Sequence, residues 1–319
     1  MRKDERDVYF FDVISDTWNR KFQGLAPFPH KILVQAIFKL YKAGRASVVN
    51  AKKQAIYIAD MKVHADRCEI LVGFSDTLAA DPTFADYAKR SRRVAKKVGD
   101  EGLEHSAHII WKYDNAGNVA NCPFLLESAT GIASSKIVAF FNRLLRVYSD
   151  VSKDFWVDDP EAKKDAHGNF VQIKTRPKVE LVGHPSAEFL KDLRHGTLQE
   201  VELFTERTKG NPWDANGRVI EDRSSVTIKP NPQKILPKAK AVLDAFVPNS
   251  SNKYEYARIR FKTRSDVSRT VSVMSQNYSL LTGALYVRKE RLVDLGDDLP
   301  TAFEDINAII IKKMRALIP

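Results

Sequence analysis

The sequence predicts an α+β protein made of two mixed α/β domains, with mainly antiparallel sheets. Three observations carry this. Runs rich in β-branched and aromatic residues alternate with amphipathic stretches, but without a strict βαβ rhythm. Several strand-like runs follow one another through short turn sequences, as antiparallel neighbours do. A polar, acidic-leaning, turn-rich stretch at 151–168 interrupts the pattern and reads as a linker or long surface loop. The expected domains are therefore 1–150 and 169–319.

In the first domain, "VYFFDVI" at 8–14 reads as a strand. "HKILVQAIFKLYKAG" places Ile32, Leu33, Ala36, Ile37, Leu40 and Tyr41 at helical spacing, with Gly44 as its stop. "AIYIADMKVH" and "RCEILVGFSD" are two further strands. "TFADYAKRSRRVAKKVG" reads as a second helix, closed by Gly99, with Tyr87, Val94 and Val98 left for the core. "EHSAHIIWKYD" and "CPFLLESA" form a strand pair across the turn sequence "NAGN". After Gly131, "IASSKIVAFFNRLLRVYS" is an amphipathic helix with Ile137, Phe140, Phe141, Leu144, Leu145 and Tyr148 on its apolar stripe.

In the second domain the expected order begins with a strand in "FVQIKTRPKVELV", a helix in "PSAEFLKDLR" and strands in "EVELFTERT" and "RVIEDRSSVTIKP". A helix in "PKAKAVLDAFV", strands in "KYEYARIRFKTRS" and "TVSVMSQNY", and a closing helix behind Pro300 complete it.

Charge is the informative quantity. The 319 residues carry a formal net charge of +11, and a basic protein tends to meet polyanions. The excess is uneven. Residues 223–291 hold 14 cations against 4 acids, whereas 151–222 hold 11 against 14. In "KYEYARIRFKTRS", strand alternation puts Tyr254, Tyr256, Arg258, Arg260, Lys262 and Arg264 on one face, with Ala257, Ile259 and Phe261 on the other. Positions i and i+2 lie about 6.5–7 Å apart, close to the phosphate spacing of a nucleic-acid strand, so such a row can follow a backbone. Tyr254 and Tyr256 could stack on bases. Lys238, Lys240 and Arg269 belong to the same basic stretch. The alternative is a strand whose cations face acids on a neighbouring strand, or an edge strand protected by charge. A second cluster, Lys89, Arg90, Arg92, Arg93, Lys96 and Lys97, spreads around the helix expected at 83–99. Its alternative is an ordinary solvated helix face.

Candidate chemistry is sparse. His105 and His108 in "EHSAH" point to opposite faces of a strand and make a poor metal pair. Glu161 and Lys163 have nuclease-like spacing but lie in a polar loop. Ser134 and Ser135 behind Gly131 open a helix that could hold an anion, although an ordinary strand-to-helix turn explains them as well. No Walker, nucleophile-elbow, zincin or kinase motif is present. The expectation is no catalytic residue, no metal and no cofactor. Cys68 and Cys122 read as free buried thiols of a reducing compartment. The N-terminal stretch lacks a signal-peptide core and no apolar run is long enough for a span, so the expected location is the cytoplasm.

One likeness adds to this. "PFLLESATGIASSKIVAFFNRLL" gives a strand, a Gly131 turn, a Ser-bearing helix start and an apolar helix. The C-terminal half adds a helix, the basic strand region and a closing helix. In that order the chain resembles the A-protein family of the lambda Rex phage-exclusion system and related bacterial anti-phage defence proteins. The resemblance covers about half the chain by pattern, and both the 150–168 stretch and "KGNPWDANG" look additional. It implies a two-domain, DNA-binding, homodimeric protein that acts in defence, with a possible partner protein and no known active site. The sequence alone therefore supports a nucleic-acid binder of little sequence specificity, most simply of double-stranded DNA. A metal-dependent nuclease or other enzyme on nucleic acid, and a basic protein that binds an acidic protein partner, are the two alternatives.

Overall fold

A computed structural model describes residues 4–113, 122–205, 224–229, 254, 256–263, 266–274, 286–296 and 299–318. The fold is α+β with mainly antiparallel sheets. The chain forms two compact units, 1–181 with 290–319, and 182–289. This division differs from the one expected at 151–168. That stretch belongs to the first unit because Phe155 within it is fully buried against the rings of Phe28 and Tyr148.

The first unit is built on β1 (Arg6–Trp18), β2 (Ser47–Val49), β3 (Gln54–Val63), β4 (Arg67–Asp76), β7 (Leu103–Lys112), β8 (Cys122–Glu127) and β11 (Arg176–Gly183). The order across the sheet is β11-β1-β8-β7-β4-β3-β2, and β16 (Lys289–Leu292) also pairs with β1. Between β4 and β7 the chain makes a separate hairpin, β5 (Thr83–Asp86) and β6 (Ser91–Val94). A second small hairpin joins β9 (Trp156–Asp158) to β10 (Gln172–Lys174).

The central strands are buried on both faces. β4 therefore reads as a near-continuous apolar run rather than an alternating one, and β7, buried from Ser106 to Trp111, encloses the polar Ser106 and His108 among its apolar residues. On one face Trp111 and Phe124, opposite each other in register, meet Phe141 of α2 (Ser134–Val151), Trp111 stacked on it and Phe124 edge-on. His30 of α1 (His30–Lys42) accepts a hydrogen bond from Trp111 Nε1 at 3.2 Å. On the other face Val8, Phe10, Leu71, Ile110 and Leu125 pack against Leu292, Leu295, Ile306, Ile310, Ile311 and Met314. The last three belong to α4 (Ala308–Ala316), which begins later than Pro300 because Asn307 caps it through bonds from the Ile309 and Ile310 amides.

The C-terminal segment is anchored to that face by polar groups. Arg6 donates to the Pro300 carbonyl at 3.0 Å and pairs with Glu127 at 2.9 Å. Asp60 accepts from the Ile306 amide, and Ser106 from the Phe303 amide. His108 Nε2 accepts from the Asn307 amide at 2.9 Å, so His108 Nδ1 carries its proton towards Glu127 Oε2, 2.6 Å away. Arg315 binds both oxygens of the buried Glu69 at 2.7 and 2.8 Å. Burial alone would raise the Glu69 carboxyl. The hydrogen bonds from Arg315 and Arg67 outweigh it and hold the group down to about 2.

The second unit carries a four-stranded antiparallel sheet. Its strands are β12 (Thr197–Thr205), β13 (Ser224–Ile228), β14 (Tyr256–Lys262) and β15 (Ser268–Met274), in the order β13-β12-β14-β15. Leu198, Val201, Leu203, Ala257, Ile259, Phe261, Val271 and Val273 are buried. Phe261 meets Phe189 of α3 (Ala187–His195) and Tyr286. Gly196, where α3 ends, is required there. A Cβ would lie 2.6 Å from both the Asp192 and the Lys262 carbonyl oxygens.

Candidate nucleic-acid interfaces

The basic row on β14 forms as the alternation predicts. Arg258 and Arg260 are exposed and Lys262 is half-buried, while Ala257, Ile259 and Phe261 point inward. The neighbouring strand changes what the row can do. Antiparallel register sets Glu202 opposite Arg258 and Glu200 opposite Arg260. Arg258 donates to Glu202 Oε2 at 2.6 Å and lies over the Phe204 ring. Lys262 pairs with Asp266 at 2.9 Å, and Lys229 approaches Glu200 at 3.4 Å. Directly opposed charges stabilise an antiparallel pair. Arg260 is the one cation of this row without an ion pair among the described residues. On the other flank, Ser272, Thr270 and Ser268 of β15 are neutral.

Other members of the expected row separate from it. Tyr254 is buried, so it offers no ring to a base. Tyr256 packs its ring on Phe204, with centroids 5.5 Å apart. Arg269 is opposite Phe261 in register and so projects from the other face of the sheet. Lys238, Lys240 and Arg264 lie outside the described residues, as does the helix expected at "PKAKAVLDAFV". Arg291 pairs with Asp7 and Glu5 in the first unit.

The second basic cluster is not helical. Residues 83–94 form the β5–β6 hairpin, with Thr83 opposite Val94, Phe84 opposite Arg93, Ala85 opposite Arg92 and Asp86 opposite Ser91. The helix expectation required an apolar stripe packed on the body. Tyr87 is 96% exposed, and Val94 and Val98 are also exposed, so no such face is buried. Arg90 turns the chain in the left-handed region, at φ 52°, which a helix interior does not accommodate. Arg93 covers the Phe84 ring at 4.9 Å, a cross-strand cation–π contact that suits a ribbon.

The hairpin cations are largely free of acids. Lys89 comes within 3.8 Å of Asp86. Arg90, Arg92, Arg93 and Lys96 have no ion pair among the described residues and are exposed. Lys97 is different. Its Nζ donates to the Thr77 and Ala79 carbonyls at 2.7 and 2.5 Å, clamping the root of the hairpin. The sequence signal for a ribbon was the Thr-Phe-Ala-Asp and Ser-Arg-Arg-Val pair around a short polar turn. The density of helix-favouring Ala, Lys and Arg concealed it.

His105 and His108 lie on opposite faces of β7. His108 is committed to Glu127 and the Asn307 amide. Among the described residues no group of three His, Cys, Asp or Glu side chains is placed to hold a metal ion. No helix among them is long and apolar enough to cross a membrane. No protein-family model matches the chain, and no curated protein or solved structure matches it.

Proposed function

We propose that the protein binds nucleic acid, with double-stranded DNA as its main ligand, by gripping phosphates with little reading of sequence. The observation that supports this is the β5–β6 hairpin. It presents Arg90, Arg92, Arg93 and Lys96 to solvent without acidic partners among the described residues. Four unneutralised cations within seven residues are what an anionic backbone requires, and a folded surface normally intersperses the two signs. Arg260 on β14 adds a weaker contact, because Glu200 and Glu202 neutralise much of that row.

With the likeness to phage-exclusion A proteins, this reading extends to a cytoplasmic homodimer that acts in anti-phage defence, its DNA contact serving to sense or obstruct phage nucleic acid. No catalytic step is assigned to it. The test is binding of labelled double-stranded DNA, single-stranded DNA and RNA across a salt titration with magnesium, with substrate length checked on a gel. Tight, salt-sensitive binding of intact duplex is expected. Cleaved substrate would replace the binder with a nuclease. No binding at low salt would turn the basic surface towards an acidic protein partner.

A further inference from the structure

We infer that the β5–β6 ribbon enters the major groove of a duplex tip-first. The inference rests on the nucleic-acid reading above and names the form of nucleic acid that the hairpin takes. The first observation is exposure. All eight residues of the two strands are exposed, so neither face of the ribbon is spent on packing. A ribbon free on both faces can be received by a cleft that closes on both. The β14 strand, buried on one face, can only lie against a surface.

The second observation is the register. Arg92 lies opposite Ala85 and Arg93 opposite Phe84, so alternation puts the two guanidinium groups on opposite faces. A duplex groove offers phosphates on both walls, one for each face. A single strand offers one line of phosphates and leaves half of this arrangement idle. The third observation is size. Four-residue strands give a paired length of about 10 Å, and a sheet with its side chains is about 10 Å thick. The major groove is about 12 Å wide and about 8.5 Å deep, while the minor groove, about 6 Å wide, is too narrow.

At the apex Tyr87 is 96% exposed. A ring so placed reaches the groove floor, where thymine methyl groups and base edges lie. The root is fixed rather than loose. The Ala95 amide donates to the Pro82 carbonyl at 2.9 Å, and Lys97 clamps the two carbonyls before it. The arm is therefore held in position before any ligand arrives, which lowers the ordering cost of binding.

The test compares the whole chain on a mixed-sequence duplex and on the same duplex with glucosylated 5-hydroxymethylcytosine in place of cytosine. That substituent fills the major groove and leaves the phosphates unchanged. At least tenfold weaker binding to the filled duplex is expected. R92Q/R93Q is expected to bind both duplexes weakly and alike, and Y87A to narrow the gap. Equal wild-type affinity for the two duplexes would overturn groove insertion while leaving phosphate gripping intact. A gap that persists undiminished in R92Q/R93Q would place the groove contact elsewhere and also overturn it. Failure to bind either duplex would remove the nucleic-acid reading, and this inference with it.

Discussion

Neutralising Arg90, Arg92 and Arg93 to Gln should flatten the salt dependence of DNA binding without disturbing the fold. The magnitude follows from which cations are free. Arg90, Arg92, Arg93 and Lys96 are exposed and unpaired among the described residues, whereas Lys97 is spent on two carbonyls. Each phosphate contact contributes about −0.9 to the slope of log affinity against log salt, so losing three changes the slope by about 2.7. Between 50 and 200 mM salt, wild type then loses about fortyfold more affinity than the variant. Contacts made elsewhere on the chain add equally to both proteins and cancel in the difference. Fluorescence anisotropy at several salt concentrations measures it, with circular dichroism as the folding control. A stability change of no more than about 1 kcal/mol is expected, because the three side chains are exposed and only Arg93 has a partner to lose, the Phe84 ring. A slope difference below about one would refute the assignment of phosphate contacts to this hairpin.

Three other outcomes follow from the framework. The depressed Glu69 carboxyl contributes stability that is present above its ordinary value of 4.5 and is lost as pH falls through about 2. That contribution is on the order of 3 kcal/mol, so urea midpoints should fall more steeply over this window in wild type than in E69Q. Gly196→Ala drives a Cβ to 2.6 Å from two carbonyl oxygens and should destabilise the second unit by about 1–3 kcal/mol, read as a lowered thermal midpoint. His108→Ala removes one of the hydrogen bonds of the buried Glu127 carboxylate, which keeps Arg6 and the backbone amide of residue 108, and strands the Asn307 amide. Hydrogen exchange should show faster exchange in α4 first, with a cost of about 1–3 kcal/mol or more. Unchanged α4 protection would show that the apolar contacts of Ile310, Ile311 and Met314 hold the segment without the polar anchors.

Much of the fold was legible because local pattern and burial agree. The helices at 30–42 and 134–151 have one apolar stripe each, β4 and β8 are runs too apolar to lie at a surface, and β3 and β7 keep enough β-branched and aromatic residues to read as strands. Three features were hidden for physical reasons. The 80–98 segment buries almost nothing, so it has no hydrophobic periodicity to report its structure, and helix propensity alone pointed the wrong way. Return of residues 290–319 to the first unit depends on contacts nearly three hundred residues apart in sequence, such as Arg6 with the Pro300 carbonyl. Nothing local encodes them. The 151–168 stretch has linker composition, yet burial of Phe155 and Asp159 and the contacts of Asp154 with Lys39 and Tyr148 hold it in the first unit.

The two basic clusters show why spacing on a strand does not by itself identify a phosphate site. Both gather cations in a short stretch, β14 in a row along one face, and the sequence favours β14 because its segment holds the larger net charge. What decides is the adjacent strand, which sequence order does not reveal. β14 pairs with β12, whose Glu200 and Glu202 fall in register with Arg260 and Arg258, so the row is partly neutralised before any ligand arrives. At Arg258 a phosphate competes with Glu202, which already accepts one of its hydrogen bonds and offsets its charge. At the hairpin the only acid between residues 83 and 97 is Asp86, near Lys89, and a phosphate displaces water alone from Arg90 and Arg92. Arg260→Gln should therefore lower the salt slope by no more than about 0.9, and an Arg258→Gln change should lower it less still. If the β14 substitutions instead abolished binding while the hairpin triple bound normally, the neutralisation argument would fail, and Glu202 would have to release Arg258 when DNA binds.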